Sequence, residues 1–156
     1  MAGDAAPRIV IGIGNPDRGD DAAGRMVARL LRRSLPDGVD LAELAGEATA
    51  LLARLDGAGT AWLIDASASG APAGTVRRFD VGDGPLPAAS FGLSSHGFGL
   101  AEATELARAL GQLPPRCIVY AIEGACFDAG APLSPPVSAA VADVAARVIA
   151  EIGGSR

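Results

Sequence analysis

Residues 8–24 read R-I-V-I-G-I-G-N-P-D-R-G-D-D-A-A-G, and this stretch decides the fold. The β-branched apolar run over 8–13 predicts a buried strand, and it passes into a glycine-rich turn at the mouth of a helix. The helix is expected from Asp20 to about Arg33, because Met26, Val27, Leu30 and Leu31 recur at helical spacing. Asp20 is its expected N-cap, and acidic residues in the first turn suit the positive end of the helix dipole.

The remaining chain continues the alternation that marks an α/β domain. Strands are expected over 39–44, 60–66 and 116–122, and an edge strand over T-V-R-R-F-D, where Arg77 and Arg78 interrupt the apolar pattern. Helices are expected over A-T-A-L-L-A-R-L, over 99–110 and over 135–152, the last with Ser134 as its cap. Between the edge strand and the third helix runs a Gly/Pro/Ser-rich loop over 81–97, long enough to suggest a functional segment. One domain is expected over 8–152, with 1–7 as a disordered leader.

Composition narrows the partners. The chain has 156 residues, 49% of them hydrophobic, and a formal net charge of −5. That balance and the lack of a basic stripe interleaved with aromatics exclude nucleic acid as an expected partner. Arg25, Arg29, Arg32 and Arg33 read as the solvated face of the first helix. No uncharged apolar run reaches the ~18 residues a membrane helix needs, so no membrane insertion is expected. The N-terminal residues lack the pattern of a signal peptide, and a cytoplasmic location is expected. Cys117 and Cys126 form no metal motif and read as buried, reduced thiols.

The glycine-rich turn first suggests a dinucleotide site. Gly12 and Gly14 fit, but the third glycine of that motif is replaced by Asp17, and Asp20 and Asp21 follow. Those carboxylates would repel a pyrophosphate. Asp65 ends the strand W-L-I-D, where the crevice of an open α/β sheet binds ligands. His96, the only histidine, lies in S-S-H-G-F-G-L at the end of the long loop. Asp21, Asp65 and His96 together offer two oxygens and an imidazole, a donor set suited to zinc or nickel. Structural roles stay open beside this: Asp21 as first-turn decoration, Asp65 as a strand-closing turn residue, His96 as a hydrogen-bonded loop residue. Ser94 and Ser95 adjoin His96 too closely in sequence for a nucleophile–base pair, and there is no G-x-S-x-G elbow. Cys117 belongs to a strand that reads as core.

Three motifs in order resemble one family. Gly12-Ile13-Gly14-Asn15 through Asp20-Asp21 to Gly24, then Ile64-Asp65-Ala66, then Ser94-Ser95-His96 through Gly99-Leu100, are similar to the nickel–iron hydrogenase maturation endopeptidases. A-P-A-G-T-V after Asp65 and V-Y-A-I-E-G add to the likeness. The resemblance implies a three-layer α/β sandwich, a twisted, mostly parallel sheet of about five strands between helices on both faces. It implies a peptidase that removes the C-terminal extension of a nickel–iron hydrogenase large-subunit precursor. Its metal-contacting and catalytic positions fall on Asp21, Asp65 and His96, with Asp20 a further candidate base. Gly14, Asn15 and Gly46 fall in the loops that would hold the substrate. Nickel would arrive with the precursor, with no resident cofactor. A non-cleaving assembly factor that binds the same loaded precursor is the alternative. The chain departs from the pattern at Ala45, where an acid is common, and at Asp21, where many relatives carry glutamate.

Overall fold

Along the chain run β1 (Arg8–Ile13), α1 (Ala23–Leu31), β2 (Val39–Leu44), α2 (Ala48–Leu55) and β3 (Thr60–Ser67). There follow β4 (Val76–Asp80), α3 (Leu100–Ala109), β5 (Arg116–Glu123) and α4 (Pro135–Gly154). The computed structural model describes residues 6–91 and 99–154, so most of the leader and the segment bearing His96 lie outside the described residues. The five strands form one sheet ordered β2-β1-β3-β5-β4, in which only β4 is antiparallel to its neighbour. β4 is an edge strand, as its charged alternation suggests.

The order explains where a ligand can enter. β2 pairs on one side of β1, and β3 pairs on the other. This reversal opens a crevice at the carboxyl ends of β1 and β3. Right-handed crossovers then put the helices before and after the reversal on opposite faces. α1 packs with α4 on one face and α2 with α3 on the other, which makes the three layers. β3 alternates accordingly, with Trp62 and Ile64 towards α1 and α4, and Ala61 and Leu63 towards α2 and α3. Each large side chain buried this way contributes about 1.5–3 kcal/mol. Glu151 ties α4 to the sheet by accepting from the Trp62 indole, the Tyr120 hydroxyl and Arg78.

Two sequence expectations change. α1 begins at Ala23, after a 3-10 turn over Gly19–Ala22, and Asp20 does not cap it. Asp20 is fully buried, and its carboxylate accepts from Ala125 N–H (2.7 Å), Cys126 N–H (3.0 Å), and both the N–H and hydroxyl of Ser134 (2.8 Å each). The Ser134 hydroxyl is thereby spent on Asp20, while its carbonyl accepts from Ser138 in the first turn of α4. Burial would push Asp20 up, but the donors from Ser134, Ala125 and Cys126 outweigh it and hold the carboxyl below its ordinary value. The second change concerns the basic face of α1. Arg25, Arg29 and Arg32 are not simply solvated: they converge on the Glu43 carboxylate of β2 at 3.0, 3.0 and 2.8 Å.

Gly24 sets how close α1 can come to the sheet. A Cβ there would lie 2.1 Å from the Ile64 carbonyl and 2.5 Å from that of Ile13, both immovable backbone atoms. Alanine ordinarily favours a helix over glycine by about 1 kcal/mol. Here the sign should reverse: Gly24→Ala should cost about 2–3 kcal/mol in urea unfolding, the range of overpacked cores. Gly153→Ala, where a Cβ meets nothing within 4 Å, is the control and should be neutral or mildly stabilising.

Asp20 also yields a pH prediction. A carboxyl lowered in the folded state contributes stability that is present above its unfolded pKa and lost as pH falls through the folded one. Asp20→Asn should therefore lose roughly 2–4 kcal/mol at neutral pH, from the charge-assisted hydrogen bonds forfeited. Its stability should fall less steeply than that of the parent between about pH 5 and 3. Denaturant midpoints measured across that range would check both; parallel curves for the two proteins would refute the linkage.

Candidate active site

Gly14 and Asn15 wrap Asp21. Gly14 has a φ of +144°, and a Cβ there would fall 1.9 Å from the Asp21 carbonyl, so only glycine permits the approach. The Asn15 N–H then donates to Asp21 Oδ2 at 2.9 Å, while the Asn15 side chain accepts from Asp17 N–H and closes the turn on itself. Gly14 is also anchored outward: its N–H donates to the Leu44 carbonyl, and its carbonyl accepts from Arg25. Among the described residues the Asp21 carboxylate accepts only that one N–H, which leaves most of its acceptor capacity open.

Asp65 stands at the end of β3, beside that loop. Protein atoms enclose it densely, although part of its surface still meets solvent. The enclosure governs its chemistry. Burial first, and then the negative charge of Asp21, push the carboxyl up to about 8, against a single lowering contact from Ala66 N–H. Asp65 therefore holds a proton at neutral pH, next to an acid that repels the loss of it.

Glu123, at the end of β5, is a residue that sequence reasoning passed over. It is buried and accepts from the Ser67 hydroxyl, the Ser69 hydroxyl and N–H, and Gly70 N–H. It pins the chain leaving Asp65. The E-G pair ending an apolar strand was the available signal.

Of the sequence candidates, Asp21 and Asp65 are brought together; His96 lies outside the described residues, as do Ser94 and Ser95. Among the described residues no three His, Cys, Asp or Glu side chains gather as a metal cluster. Asp20 faces away, its carboxylate engaged by four donors, and is poorly placed as a base. Gly46 adopts a φ of +102° in the loop after β2, beside Ile13. Glu43 lies near the end of β2, two residues before Ala45. Its carboxyl is desolvated, yet the Arg25 and Arg29 guanidinium groups hold it below its ordinary value. Cys117 is buried and its thiol is pushed up to about 12, chiefly by burial, so it is no nucleophile. Cys126 is half-buried, more exposed than expected.

Comparison with known proteins agrees with this geometry. Residues 25–151 match the family model described as hydrogenase maturation protease. No curated protein matches the chain. Among solved structures, the hydrogenase maturating endopeptidase HybD from E. coli is 24% identical, with a TM-score of 0.81 over 96% of this chain and 93% of that one. A hydrogenase 2 maturation peptidase from a Thaumarchaeota archaeon is 24% identical, TM-score 0.70, over 94% and 98%. The hydrogenase maturation protease HycI from Thermococcus kodakarensis is 22% identical, TM-score 0.69, over 96% and 94%. At these identities the structures speak for the fold, and the family model, which spans most of the chain, speaks for the kind of protein. The chain belongs to the hydrogenase maturation protease family and is a peptidase of hydrogenase maturation.

Proposed function

We propose that this peptidase removes the C-terminal extension of a nickel-loaded nickel–iron hydrogenase large-subunit precursor, and that it reads the metal through Asp21, Asp65 and His96. The observation that carries the proposal is the pairing of Asp21 with Asp65 at the crevice, where one acid is kept protonated by burial and by the charge of the other. Two close carboxylates with few donors around them are a poor resting arrangement but a good cation receptor.

Nickel enters here as cargo of the substrate. A divalent cation between the carboxylates competes with the proton on Asp65 and releases it. An unloaded precursor meets a pair that is already satisfied by its proton, and this gives the crevice a physical basis for discrimination. His96 supplies the third donor. For hydrolysis, Asp21 is the better base, since its carboxylate accepts only one N–H, whereas Asp20 has no acceptor capacity to spare. The β1–α1 and β2–α2 loops, with Gly14, Asn15 and Gly46, form the rim against which the tail would lie.

The test is intact mass of the nickel-loaded precursor before and after incubation. A discrete C-terminal loss that is absent for the nickel-free precursor is expected. Unchanged mass with a stable complex would favour a non-cleaving assembly factor. His96→Ala should lower processing by at least about 10²-fold, the usual scale for removing a group at the reacting centre. Its melting temperature should stay close to that of the parent; wild-type processing would remove His96 from the site.

Metal removal supplies a second test. Chelation of the purified protein should barely move its melting temperature if nickel arrives only with the substrate. A large drop would reveal a resident structural metal and overturn the cargo assignment.

A further inference from the structure

Arg77 lies in the same row of the sheet as Asp65. On β4 it pairs with Ala121, and Ala121 pairs with Asp65 on β3. Paired residues point to one face, so the row spans two inter-strand spacings, or ~10 Å, on the side of α2 and α3. Only the buried methyl of Ala121 stands in the middle.

The guanidinium of Arg77 sits 5.4 Å from the centroid of the Phe79 ring, and Phe79 is itself met edge-on by Phe91. Its Nη2 is buried and has no hydrogen-bond partner. Among the described residues, no carboxylate or carbonyl accepts from any part of this side chain. The next residue, Arg78, points to the opposite face and is paired with Glu151. A buried guanidinium nitrogen without an acceptor is costly even on a half-buried side chain, and the aromatic ring offsets only part of that cost. Held in orientation by the ring and left with unused donors, the planar fork is matched to a carboxylate.

We infer that Arg77 is a specificity residue that receives a carboxylate of the precursor's C-terminal segment, either an acidic side chain or the chain terminus. The inference rests on the peptidase reading above. An extended peptide advances ~3.3 Å per residue, so the row places that carboxylate roughly three residues from the peptide bond held at Asp65.

The test compares wild type, Arg77→Met and Arg77→Glu on the nickel-loaded precursor. Parallel precursor forms carry each acidic residue of the C-terminal segment changed to its amide, and one carries an amidated C-terminus. Arg77→Met should lower kcat/KM by about 10- to 100-fold, as expected for a charge-assisted hydrogen bond, mainly through KM. Its melting temperature should not fall, because among the described residues nothing accepts a hydrogen bond from the side chain. One precursor form should show the same loss with wild type and no additional loss with Arg77→Met. If that form is an acidic side chain, Arg77→Glu should be rescued by lysine at that position; if it is the amidated terminus, the terminal carboxylate is the ligand. Equal kcat/KM for Arg77→Met and wild type would overturn the inference. So would a lowered melting temperature with an equal loss on every precursor form, which would make Arg77 structural. Failure of wild type to cleave the unmodified precursor would instead overturn the peptidase reading.

Discussion

Everything at the crevice depends on how closely the backbone of α1 approaches the ends of β1 and β3. Gly24 permits that approach because two carbonyls occupy the space a side chain would need, and Gly12 opposes it across the contact, where a Cβ would meet the Gly24 carbonyl at 2.4 Å. With the helix seated this deeply, the preceding turn is carried over the end of β3. Asp21 is thereby brought to Asp65. A wider helix–sheet separation would relieve the repulsion between the two acids and with it the feature that distinguishes this site.

Neighbouring acids in that turn show how donors decide what a carboxylate does. Asp20 turns inward and finds four donors on the β5–α4 connection, so it is ionised, satisfied and structural. Asp21 turns the other way and finds one. Asp65 has one as well, in enclosed surroundings. The same contrast separates Glu123, ringed by serine and glycine donors, from Asp65 only one strand away. Electrostatic stress is concentrated at one pair because the rest of the acids near it are provided for.

Much of this was legible in the sequence, for local reasons. Apolar periodicity marks β1, β3, β5 and the helices because each buries a face of its own, and Asp65 is placed by its position at the end of W-L-I-D. The spacing Gly12, Gly14, Gly24 indicates a close turn before any ligand is considered. What escaped the sequence depends on distant partners. The donors to Asp20 lie more than a hundred residues away, so capping was the nearest local reading and the wrong one. The arginines of α1 read as a solvated face because Glu43 belongs to another element whose register is not visible from the helix. Arg77 looked like an ordinary edge-strand charge, since the lack of an acceptor is a property of the assembled sheet.

The strand order has a further consequence for the sheet's two free margins. β2 and β4 are the outermost strands; both are short, and they carry Asp40 and Glu43 on one and Arg77, Arg78 and Asp80 on the other. Docking another strand of the same kind against either margin would bring like charges alongside one another or strip water from them. The apolar strands β1, β3 and β5, which would otherwise template unlimited cross-strand growth, are all interior. A chain so rich in alanine, valine and leucine thus places its most aggregation-prone segments between neighbouring strands rather than at a free edge.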